Sequence, residues 1–110
     1  MIGIDDTLRR WDESALGALT EEAIRSLYQP STRYRVSRFT LPPEDSSVGG
    51  MFPAFCFCLR GNGRFQFGDR TIALSEGEYV RLPGGRYLKE SDDDVFDIVL
   101  VIELPPELWR

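Results

Sequence analysis

The sequence predicts an all-β domain preceded by a short helical arm. Three observations carry this. From Arg33 onward, short apolar or alternating segments recur at roughly 10-residue intervals, as in an antiparallel sandwich or barrel. Glycine-bearing turns separate them, and helical spacing of apolar residues is confined to the first 30 residues. With 110 residues the chain is the size of one domain, read as an arm over 1–30 and a β domain over 31–110.

In the arm, Asp5 or Asp6 caps a helix whose apolar positions Leu8, Trp11, Ala15 and Leu16 fall three and four residues apart, weakening at Gly17. Thr20 is the N-cap of a second helix, with Glu21 and Glu22 in its first turn and Leu19 stapled onto Ile24. Ala23, Ile24, Leu27 and Tyr28 form its apolar face, and Pro30 closes it.

Arg33 to Leu41 is extended. The stretch from Pro42 to Gly50 reads as a loop placed over a pocket. Phe52 to Leu59 is almost continuously apolar, as a strand buried on both faces is. Gly61, Asn62 and Gly63 turn the chain into Arg64 to Phe67, and Gly68 with Asp69 into Arg70 to Leu74. Glu78 to Leu82 is a further strand. An acidic loop, Glu90 to Asp94, separates it from the apolar run Val95 to Leu104, which Pro105 and Pro106 end. Gly61, Gly63, Gly68, Gly77 and Gly85 are read as positive-φ turn positions.

Composition narrows the functions. A hydrophobic fraction of 42% with 12% aromatics is that of a chain that folds unaided. The net charge of −5 disfavours a nucleic-acid partner, because phosphate backbones require a basic face. No apolar run reaches the ~20 residues of a membrane span and no signal-peptide pattern opens the chain, so a cytoplasmic protein is expected. Cys56 and Cys58, the only cysteines, share one face of a strand and read as small buried hydrophobes. No histidine is present.

Gly77 to Asp92 reads G-E-Y-V-R-L-P-G-G-R-Y-L-K-E-S-D. This resembles the second motif of the cupin superfamily. Gly77, Pro83 and Gly85 match, while Leu88 stands at the histidine position and Asp92 at the asparagine position. Phe57 to Phe67 is similar to the end of the first cupin motif, although Ser46 to Ala54 hold none of its metal-ligating histidines or its glutamate. The resemblance implies a single-domain jelly-roll barrel over about residues 33–104 and a homodimer. It also implies an inward face bearing Ala54, Cys56, Cys58 and Leu88, drier than a metal-binding cupin pocket. No metal and no cofactor are expected.

Cys56, Cys58, Arg64, Gln66, Tyr79, Arg81, Tyr87 and Leu88 are the pocket candidates. Tyr79 and Arg81 share a face, where a phenol beside a guanidinium would bind a carboxylate or phosphate. Glu76, Glu78 and Glu90 lack visible partners, and Glu90, Asp92, Asp93 and Asp94 lack the spacing of a calcium loop. Trp11, Tyr28 and Trp109 are expected to cover a sheet face or complete a dimer. The leading expectation is a metal-free binding module for a small molecule or protein partner. One alternative is a metal-independent isomerase or lyase using Tyr79 or Tyr87 with Arg81 or Arg86. Others are an immunity-type or regulatory protein that binds a basic partner, and a dioxygenase-type metal enzyme using Cys56, Cys58 and carboxylates.

Overall fold

The computed structural model describes residues 8–29 and 31–109. Two antiparallel sheets form the molecule. One has the order β1-β7-β4-β9-β2 and the other β3-β8-β5-β6. In chain order the strands are β1 (Arg9–Arg10), β2 (Tyr34–Leu41), β3 (Ser46–Gly49), β4 (Ala54–Arg60), β5 (Asn62–Phe67), β6 (Arg70–Ser75), β7 (Glu78–Leu82), β8 (Tyr87–Ser91) and β9 (Phe96–Glu103). Helices α1 (Glu13–Leu16) and α2 (Glu21–Tyr28) follow β1, and a 3-10 turn at Pro106–Leu108 closes the described chain. No described helix is long and apolar enough to cross a membrane.

Strand alternation divides the apolar residues into two cores. Between the sheets, Ala54, Cys56 and Cys58 of β4 meet Phe96, Ile98 and Leu100 of β9, with Phe65 and Leu74 facing them from the other sheet. On the outer face of the five-stranded sheet, Phe57, Val99 and Val101 pack beneath the arm residues Trp11 and Ile24. The strands β4 and β9 thus bury both faces, as the apolar run over 52–59 predicts. Trp11 meets Phe57 edge-on at 5.9 Å, and Tyr28 meets Tyr34 at 5.1 Å. The aromatic arm residues Trp11 and Tyr28 cover a sheet face, while Trp109 lies under Arg33 at 4.6 Å.

Helix α2 follows its sequence signals closely. The Thr20 hydroxyl accepts from the Ala23 amide at 3.1 Å, and Ile24 is fully buried, although Leu27 is exposed. A charged network ties the helix to the sheet. Arg38 donates to both oxygens of Asp97, at 3.0 and 2.6 Å, and to Glu21 at 3.3 Å. Arg25 reaches Glu21 at 2.9 Å and the Val36 carbonyl at 3.2 Å.

Several expectations are corrected. Asp5, Asp6 and Pro30 lie outside the described residues, and the first described helix begins at Glu13. Leu8 and Leu16 are exposed, Arg9 and Arg10 pair with Tyr79 and Glu78 as β1, and Asp12 caps a single helical turn. Tertiary pairing with the β7 edge overrides helical spacing in a segment too short to hold a helix alone. The stretch from Pro42 to Gly50 is not all loop, because Ser46–Gly49 pairs with β8. Glu90 and Ser91 belong to strand β8, so the acidic loop starts later than its charges suggest. Gly63 has no positive φ. It is required because a Cβ there would lie 2.4 Å from the Glu90 carbonyl and the Phe96 ring.

Gly61 combines both demands, with φ +78° and only 1.6 Å between a built Cβ and the Val95 carbonyl. At Gly68 the φ is +35° and nothing lies within 4 Å. Gly61→Ala is expected to cost more than about 3 kcal/mol and Gly68→Ala about 1 kcal/mol, read from urea unfolding midpoints.

Candidate functional site

The inner faces of the two sheets part where the edge strands β2 and β3 face each other, leaving a cavity of about 360 Å³ at one mouth of the barrel. Its walls come from β2, β3, β4, β8 and β9 and from the 50–53 connection. Most are apolar, including Val48, Met51, Phe52, Leu100 and Ile102. Val48 and Met51 are exposed at the rim, 59% and 71%.

The polar groups come chiefly from β8. Alternation points Tyr87 and Lys89 inward, opposite Gly49 and Ser47 of β3. The Tyr87 ring fits because a Cβ on Gly50 would lie 2.7 Å from it, and Gly50 sits at φ +94° with the Gly85 carbonyl 2.3 Å from the same position. Tyr87 stands edge-on to Phe65 at 5.2 Å, and burial pushes its phenol up to about 12.

Lys89 is 5% exposed. Its Nζ lies 4.1 Å from the centre of the Phe39 ring, and no carboxylate or carbonyl among the described residues receives a hydrogen bond from it. Desolvation holds its pKa below the ordinary lysine value. Arg35 stands at the exposed rim.

The sequence candidates separate by strand parity. Cys56 and Cys58 are inward and fully buried. Cys58 Sγ lies 3.4 Å from the Arg60 and Gly61 carbonyls, beside the irregularity in the β4–β9 pairing. Burial raises both thiols, Cys58 to about 12, so both stay protonated packing groups. Of the candidates, only Tyr87 lines the mouth cavity.

Leu88 is corrected: its neighbours Tyr87 and Lys89 are buried inward, and Leu88 is half-buried on the opposite face. Arg64, Gln66, Tyr79 and Arg81 also face away from the interior. Tyr79 stacks on Phe57 at 5.0 Å in the arm-side core, and Arg81 donates to both oxygens of Glu103, at 2.9 and 3.0 Å. The proposed phenol–guanidinium site is therefore absorbed by packing and an ion pair. Lys89, the buried cation, was missed because a lone lysine next to an acidic stretch reads as surface. Alternation puts it on one face with Tyr87, but does not tell which face of β8 is inward.

A second, open concavity gathers the acidic residues Glu44, Asp45, Glu90, Asp92 and Asp93. Arg64 lies among them, 3.1 Å from Glu90 and ion-paired with Asp92, and Gln66 also bonds Glu90. An arginine already supplies the counter-charge there.

The two-sheet arrangement recurs in solved structures. A cupin superfamily protein from Desulfitobacterium hafniense DCB-2 superposes with a TM-score of 0.58 at 16% identity, over 96% of this chain and 84% of that one. The chain has a cupin-type fold. The same cupin-type core matches a conserved protein of unknown function from Streptococcus pyogenes (TM-score 0.57, 19% identity), covering 66% of each chain. It also matches an HTH_3 family transcriptional regulator from Vibrio cholerae (TM-score 0.60, 14% identity), covering 67% of this chain and 44% of the regulator's. The chain thus spans less than half the length of that regulator. No family model matches the sequence, and no curated protein matches it.

The cupin fold implies a metal in the barrel, and the residues here do not fit one. Among the described residues the cavity wall offers no imidazole, thiol or carboxylate, and Lys89 adds a positive charge to it. Among the described residues no group of three or more acidic, cysteine or histidine side chains is placed to hold a metal ion.

An unpaired ammonium in an apolar wall costs stability that the Phe39 ring offsets only in part. Lys89→Met is expected to stabilise the ligand-free protein by on the order of 1 kcal/mol near neutral pH. Because the folded pKa lies below the unfolded one, the folded state loses this proton first as pH rises. Wild-type stability therefore climbs through that window, and the gap to the variant closes toward pH 10.5, as urea titrations at several pH values will show.

Proposed function

We propose that this cupin-type barrel is a metal-free binding module that holds a small molecule in its mouth. The carrying observation is the cavity of about 360 Å³, a volume suited to a small ligand, with apolar walls and a few convergent polar groups. Catalysis by the phenols has little support. Tyr79 is occupied in packing, and burial holds the Tyr87 proton far above neutral pH.

Ser47 gives a direct test, because it is exposed at the cavity edge and contributes nothing to either core. A neutral apolar dye, N-phenyl-1-naphthylamine, is expected to brighten on mixing with the wild type. Ser47→Trp should weaken that binding by at least about tenfold while leaving the unfolding midpoint nearly unchanged. Absence of brightening, or brightening indifferent to Ser47→Trp, removes the reading.

A further inference from the structure

Resting on that container reading, we infer that the mouth cavity selects a small amphiphilic carboxylate, with its head on the Lys89 ammonium and its hydrocarbon body along Met51, Leu100 and Ile102. The first support is charge. The chain carries 18 acidic residues against 13 basic ones, yet among the described residues no aspartate or glutamate lines this cavity, whereas Arg35 and Lys89 both do. In so acidic a protein a concave surface with only positive charge attracts anions and turns away cations.

Hydrogen-bonding capacity points the same way. Among the described residues the polar side chains in the wall are Lys89, Arg35, Ser47 and Tyr87, each able to donate, with no carboxylate or side-chain amide to act as a dedicated acceptor. Ser47 is the β3 partner of Lys89, and Tyr87 lies two residues away on the same face of β8. Buried cations are normally paired, and Lys89 has no anionic partner among the described residues. A ligand carboxylate supplies the missing charge.

The deep part of the cavity holds one cation, with Arg35 out at the exposed rim. A single negative charge is matched there, while a phosphate dianion would leave one uncompensated in an apolar wall. Met51, exposed at the mouth, gives the hydrocarbon part a surface to cover on its way out.

Calorimetric titration of the wild type with octanoate and with its neutral isostere octanamide tests the inference. Octanoate is expected to bind at least about tenfold more tightly near pH 7, and Lys89→Met to bring the ratio of octanoate to octanamide affinity close to one. In the wild type, octanoate affinity should fall as pH rises toward 10.5, since the ammonium loses its proton while the ligand stays ionised. This pH profile stands even if the variant folds poorly. Equal affinity for the two ligands, or an octanoate affinity flat with pH, overturns the carboxylate inference and leaves the container reading intact. Failure of both ligands to bind, together with failure of the neutral dye, overturns both.

Discussion

Strand parity in β4 and β9 is the constraint on which the rest depends. These strands sit inside the five-stranded sheet, and nearly every side chain they carry is covered. Cys56, Cys58, Ile98 and Leu100 commit one face to the barrel, and Phe57, Val99 and Val101 commit the other to the arm. A slip by one residue would exchange the two sets. With that register set, pairing fixes which residues of every neighbouring strand reach the interior, down to the lysine on β8.

The arm is therefore part of the fold rather than an appendage. Without Trp11 and Ile24, the aromatic and branched residues on the outer face of the sheet would lie open to water, a patch of the kind that drives association. Arg38 completes the attachment by bridging Asp97 on the sheet and Glu21 on the helix; it holds Asp97 below its usual range, and Arg25 first, with Arg38, does the same for Glu21. The barrel end of the molecule, by contrast, is closed by glycines and loops, and the cavity opens there.

Much of the architecture was legible in the amino-acid order, because turns and apolar alternation are local signals. The Thr20 cap, the doubly buried run through Cys56 and Cys58, and the hairpin at Gly68 and Asp69 are each written in consecutive residues. What escaped is non-local. Arg9 and Arg10 become a strand only because the β7 edge is beside them, and Ser46–Gly49 does so only because β8 is. The site was obscured by a single step of phase: the cupin-like motif aligns in text through Gly77, Pro83 and Gly85, yet Leu88 faces outward and the flanking Tyr87 and Lys89 take the interior. The other polar candidates shared that fault, since alternation tells which residues go together but not which set goes inside.

The two-residue strand β1 has a consequence of its own. It lies on the outer edge of β7, whose backbone amides and carbonyls would otherwise be open to any passing extended peptide. Arg9 and Arg10 occupy that place with bulky like charges, so a second molecule approaching to continue the sheet meets electrostatic repulsion instead of a bare template. In this way the arm also acts as a guard against self-templated fibre growth.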